Sequence, residues 1–310
     1  MKRNIYSKLW MIFFVLMGAA CTNQVEDAIP VSDKPIEFSV QSDWKEISNT
    51  RSNDGRTKFK DGDEIQIFGF HKSSSSSGEV QKFMYRVGEK GRGQIVKLVG
   101  GNWIYSPKRF WPKEGTLDFK AGYPQYSVLN DEENHRMIYE QTFRPLEVDL
   151  LWGESIGLDC TKTDRSSNVK ITMKHALAKV IIKFGSSLGI IKQAKVSAYK
   201  AGYFSETIQG IPQWIVEPKS GNNIQEATIK TYYDDQTAIE DATVFILPDK
   251  ITGLILTTLD GKEINVSKEI QTYTFEAGKA YNLTISKSNG VRKKNANSRS
   301  IAMSVRCVSE

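Results

Sequence analysis

The chain reads as an all-β protein of two sandwich domains in tandem. From Pro35 onward, apolar residues fall on alternate positions in short runs, the period of a half-buried strand, with Gly, Asp, Asn and Pro between the runs. Helical spacing is almost absent. The runs number on the order of fifteen, too many for one seven-stranded sandwich and comfortable for two. A length of 310 residues agrees with two domains.

At the N-terminus, Met1-Lys2-Arg3 with Lys8 forms a positive head before the apolar run Leu9 to Met17. A spanning helix needs about 20 apolar residues, and this run is roughly half that, so residues 1–20 are expected to be a secretory signal peptide. Gly18-Ala19-Ala20-Cys21 then resembles a bacterial lipoprotein box, with Gly18 where an aliphatic residue is usual. Cleavage there leaves Cys21 to carry the lipid, palmitate included, and makes residues 21–35 a polar tether. Gln24-Val25-Glu26-Asp27 resembles the short acidic signal that sends lipoproteins of some Gram-negative anaerobes to the outer face of the outer membrane.

The first strand run is Ile36, Phe38 and Val40. Glu64 to Phe70 follows the turn Asp61-Gly62-Asp63, and Leu117, Phe119, Ala121 and Tyr123 alternate along a third run. The pattern continues at Val148 to Trp152, at Val169, Ile171 and Met173, and at Val180, Ile182 and Phe184. It returns at Ala194 to Tyr199, Trp214 to Val216, Ala227 to Tyr233, Val244 to Leu247 and Leu254 to Leu259, and finishes at Gln271 to Phe275 and Ala280 to Ile285. Thr161 to Asn168 has no apolar residue, which puts the division there: an N-terminal sandwich over 36–165 and a C-terminal one over 166–287. Residues 288–310 read as a basic polar tail with one terminal strand. The serine run Ser73 to Ser77 reads as a solvated hairpin or loop tip.

Composition excludes several function classes. Three cysteines cannot make a disulfide framework, and three histidines leave little for a metal centre or imidazole catalysis. With Cys21 lipidated, Cys160 and Cys307 remain, and the sequence leaves their pairing open. The net charge of +6 sits at the two ends: Cys21 to Ser286 holds 33 basic and 35 acidic residues, so nucleic acid is not an implied partner.

A family resemblance rests on the order of several motifs. Thr50-Arg51, Phe59-Lys60-Asp61-Gly62-Asp63-Glu64-Ile65 and the stretch Phe110-Trp111-Pro112 through Gly122-Tyr123-Pro124 resemble the N-terminal domain of the fimbrillin family of surface lipoproteins. Asp149-Leu150-Leu151-Trp152, with Lys174-His175-Ala176-Leu177-Ala178-Lys179-Val180, is similar to the family's domain junction. Phe275-Glu276-Ala277-Gly278-Lys279-Ala280-Tyr281-Asn282-Leu283 resembles its closing strand.

The resemblance implies two tandem transthyretin-like β-sandwich domains and a fimbria (pilus) subunit acting as shaft, anchor or tip. It implies other fimbrial subunits, the outer membrane through the lipid, and host or bacterial surface ligands as partners; no cofactor and no catalysis are implied. In the family a protease cuts after an arginine beyond the first strand, that strand leaves, and an extended segment of a neighbour fills the groove. Such an exchange satisfies backbone groups and an apolar trough together. Arg51 best matches the cleavage position and Arg56 is the second choice, with Ile36, Phe38 and Val40 as the released strand. In an anchor or tip protein that strand is instead retained as an ordinary edge strand.

Other motifs weigh less. His175 lacks companions at ligand spacing and reads as structural. Gly153-Glu154-Ser155-Ile156-Gly157 matches G-x-S-x-G, but no helix follows, so a turn between the sandwiches is expected. Trp103, Trp111 and Trp214 carry the competing reading, a glycan-binding surface lipoprotein that does not polymerise; core placement is their ordinary fate. In the tail, Ile301, Met303, Val305 and Cys307 alternate, and Ser304 to Val308 weakly resembles the end of a major paralogous domain. That run is either a remnant or, on its polar arm, a donor strand for a neighbour.

Overall fold

The structure is a computed structural model describing residues 29–42, 58–74, 79–140, 146–162, 168–217, 219, 221–230, 238–287 and 303–309, the last by backbone alone. The first half runs through β1 (Val31–Pro35), β2 (Phe38–Ser42), β3 (Glu64–Lys72), β4 (Val80–Met84), β5 (Gln94–Val99), β6 (Asn102–Ile104), β7 (Phe110–Pro112), β8 (Thr116–Tyr123), β9 (Val128–Asp131), β10 (Arg136–Glu140), β11 (Leu151–Asp159) and β12 (Val169–His175). Eight of these form one sheet in the order β4-β3-β5-β6-β2-β12-β11-β8. Because β3 also pairs with β8, from Gln66↔Gly122 to Lys72↔Thr116, the sheet closes on itself. Alternation places Leu117, Phe119 and Ala121 of β8 inward, where they meet Ile65, Ile67, Ile171 and Met173 in a buried core.

The second half runs through β13 (Ala178–Phe184), β14 (Ile191–Tyr199), β15 (Ala201–Phe204), β16 (Thr207–Ile208), β17 (Ile211–Pro212), β18 (Ile224–Lys230), β19 (Asp241–Ile246), β20 (Ile251–Thr258), β21 (Glu263–Asn265), β22 (Ala280–Lys287) and β23 (Met303–Ser309). Two four-stranded sheets, β19-β13-β22-β23 and β18-β14-β20-β21, face each other. Val180, Ile182 and Leu283 of the first sheet and Val196, Leu254 and Leu256 of the second share one core. A single helical turn, Ser267–Ile270, adds Ile270 to that core.

A third apolar cluster joins the halves. β15 pairs with β10, carrying a second-half strand into the sheet β15-β10-β9. Beneath it Trp152 meets Phe204 edge-on at 5.0 Å, and Phe204 meets Trp214 at 4.9 Å. The crossing residues Ala176 and Leu177 are buried, and Ala176 N–H donates to the Leu150 carbonyl at 2.8 Å.

Several local expectations give way to tertiary pairing. β1 lies inside the stretch read as tether, drawn into order by β7. β12 lies beyond residue 165 yet belongs to the first closed sheet, so the change of sheet falls at Ala176-Leu177. Trp214 to Val216 supplies only one bridge, Ile215 to Tyr203, and Gln271 to Phe275 is not a strand. The G-x-S-x-G stretch is strand, not turn: it lies within β11, where the register shifts between Ser155 and Leu158 and Gly157 takes a φ of +69°.

Candidate strand-exchange site

β2 is central to the closed sheet. It runs parallel to β12 from Phe38↔Val169 to Ser42↔Met173, while on its other side it pairs with β6 only at Phe38↔Trp103. Ile36, Phe38 and Val40 are all buried. The retained-strand expectation of an ordinary edge is therefore corrected: β2 has a neighbour on each side, because β12 supplies the partner that the local sequence does not reveal.

Side chains compensate for the sparse β6 ladder. Tyr105 O–H donates to the Ile36 carbonyl at 2.8 Å, Trp103 Nε1 donates to the Val40 carbonyl at 3.3 Å, and Asn168 Nδ2 donates to the Phe38 carbonyl at 3.4 Å. Ile36 N–H donates to the Arg109 carbonyl at 2.8 Å. The Phe38 ring meets Phe119 edge-on at 5.2 Å and Tyr105 at 5.7 Å. Burial pushes the Tyr105 phenol above the ordinary tyrosine range, keeping it a neutral donor at physiological pH. Each buried apolar side chain of this segment contributes about 1.5–3 kcal/mol by area.

Loss of β2 would uncover the β12 ladder from Val169 to Met173 together with the apolar floor beneath Phe38. Arg51 and Arg56, the candidate cleavage positions, fall in 43–57, outside the described residues, as does the lipidation candidate Cys21. At the other end of the chain, β23 lies antiparallel on β22, from Tyr281↔Ser309 to Lys287↔Met303, and forms the outer strand of its sheet.

The three tryptophans make no exposed platform. Trp103 and Trp111 are buried in the first core, and half-buried Trp214 packs on Phe204 and Tyr139 while its Nε1 donates to the Ala176 carbonyl at 2.6 Å. His175 binds the Asp149 carboxylate through Nδ1. Among the described residues no group of three or more His, Cys, Asp and Glu side chains could hold a metal. Cys160 is buried in the first core. The roles of Trp103 and Tyr105 as clamps on β2 were missed from sequence, although their shared strand face was the available signal.

Comparisons with known proteins agree with this architecture. A provisionally assigned cell adhesion protein from Bacteroides uniformis shares 17% identity over 90% of this chain and 98% of its own, with a TM-score of 0.53. A second, from Bacteroides ovatus, shares 15% identity over 89% and 96%, with a TM-score of 0.50. At these identities the likeness establishes the fold. No curated protein matches the chain. The fimbrillin-like family profile matches residues 50–301, most of the sequence and both halves of the fold. By that match the chain belongs to the fimbrillin-like family.

Proposed function

We propose that the protein is a structural or adhesive subunit of a cell-surface fimbria, exported as a lipoprotein through Cys21 and assembled by strand exchange or placed as an anchor or tip component. The observation that carries this reading is the placement of β2: a short, buried, central strand, joined on one flank by a single residue pair and followed by a segment containing Arg51 and Arg56. A cut there makes β2 separable from the rest of the chain. The slot then offers β12 backbone groups and apolar pockets to an incoming strand of alternating pattern. β23 has such a pattern in sequence, and it lies at the rim of its own sheet. The role is one of assembly, with no chemical step.

Mass spectrometry of the protein taken from its native surface tests the reading. A chain beginning at Ser52 or Thr57 identifies a polymerising subunit; acylated Cys21 with the protein in fimbriae identifies an anchor or tip. Acylated Cys21 on a protein that never co-purifies with fimbriae overturns the fimbrial role. Ser39→Pro removes a backbone donor on the β12 side of β2, and assembly unchanged by it would overturn the part assigned to this strand.

A further inference from the structure

A cavity of about 210 Å³ opens between the β4–β5 connection and β9, away from both exchange strands. Phe68 and Met84 form its buried floor, and half-buried Phe70 and Tyr85 form apolar walls. The rim carries Lys82, Arg86, Lys90 and Arg92 against Glu89 and Glu132. Glu132 is neutralised by Lys82 at 2.5 Å and Glu89 by Arg86 at 2.8 Å. Lys90 reaches Glu133 only at 3.8 Å, with both side chains 82% exposed and screened.

Arg92 is different. Its Nη1 donates to the carbonyls of Tyr126 at 2.6 Å and Val128 at 3.4 Å, and among the described residues no carboxylate forms an ion pair with it. Its charge is partly desolvated by burial, which lowers its pKa from the ordinary arginine value. A guanidinium held this way favours an incoming anion.

The site is also rigidly built. Arg86 N–H bonds the Arg92 carbonyl at 3.0 Å across the loop, and Asn130 N–H bonds the Gly91 carbonyl at 2.8 Å, docking the loop on β9. Gly91 has a φ of +70°, and a Cβ there would lie 2.7 Å from the Asn130 carbonyl oxygen. Tyr126 holds a φ of +69° with its ring flanked by Arg86 at 4.8 Å and Arg92 at 5.3 Å. A non-glycine residue held in that region is a feature the surroundings impose, and such residues cluster at ligand sites.

We infer that this pocket binds the terminal acidic sugar of a glycan, one pyranose ring bearing a carboxylate, with Arg92 and Arg86 facing the carboxylate and Tyr85 and Phe70 facing the ring. The volume lies below the roughly 300–1,000 Å³ of drug-sized pockets and suits a single ring. The electron-rich faces of the aromatic walls attract the polarised C–H groups of a sugar. An aspartate or glutamate side chain brings the charge without a ring-sized body. The site needs no polymerisation and stands apart from the fimbrial reading.

The test is a ligand-observed NMR titration of the full chain with methyl β-D-glucuronide and methyl N-acetylneuraminate glycoside, against neutral methyl β-D-glucoside and the non-sugar carboxylate hippurate. At least one acidic sugar should saturate, with glucoside and hippurate weaker by about tenfold or more. Arg92→Gln and Arg86→Gln should each weaken the acidic sugar about tenfold in a chain that still shows a cooperative thermal transition. Glucoside binding equally well, hippurate binding more tightly, no saturation by either acidic sugar, or full affinity in Arg86→Gln would each overturn the assignment.

Discussion

Tyr105 donates its hydroxyl proton to the carbonyl of Ile36 at 2.8 Å, and the same oxygen accepts the Arg109 amide at 3.3 Å. One phenol thus ties the entry of β2 to the far side of a flank that has only one ladder pair. Tyr105→Phe leaves the Ile36 carbonyl and the Arg109 amide without this partner. It should cost about 1–3 kcal/mol in urea denaturation and speed amide exchange across Phe38 and Val40. A loss below about 0.5 kcal/mol would mean that the clamp contributes nothing.

Phe38 fills the trough and Ile104 of β6 faces outward, 46% exposed. Phe38→Ala should lose about 3–5 kcal/mol, cavity included. Ile104→Ala should stay within about 0.5 kcal/mol. Paired denaturation curves check both, and equal costs would contradict the inward register of β2.

Trp152 is fully buried where the halves meet. Trp152→Ala should lose about 3–5 kcal/mol and split one thermal transition into two, since the aromatic chain from Phe68 to Trp214 then breaks. Calorimetry reads the split directly; one unbroken transition would show that the β10–β15 pairing suffices to couple the halves.

Burial pushes the Tyr139 phenol above the ordinary tyrosine range, and the Asp149 carboxylate adds to the shift. The unfolded chain releases this proton near pH 10 while the fold retains it, so its contribution is full below about pH 10 and declines above. The decline should be about 1.4 kcal/mol per pH unit for this group. Tyr139→Phe should flatten the alkaline limb of a stability-versus-pH curve, and an unchanged limb would contradict the buried protonated phenol.

Alternation made much of this fold legible. Leu117, Phe119 and Ala121, or Val180 and Ile182, declare inward faces because their period of two is set by the strand itself. What stayed hidden is pairing over distance. Val169, Ile171 and Met173 read as a strand, yet nothing local says that they join Phe38 and Val40 and not the sheet that begins at Ala178. Val31–Pro35 carries no apolar period at all and becomes a strand only through β7. At the candidate exchange site the inward side chains were legible; their clamps required knowing which strand lies beside which.

The parallel register of Phe38 with Val169 has a consequence for the order in which the protein folds. β2 comes early in the sequence of the first half, but β12 is that half's last strand, and without β12 no parallel partner exists. The β6 flank offers a single pair meanwhile. Non-local pairing of this kind delays closure and keeps the early segment waiting. The first closed sheet therefore needs the last strand of that half before its earliest central strand has a parallel partner.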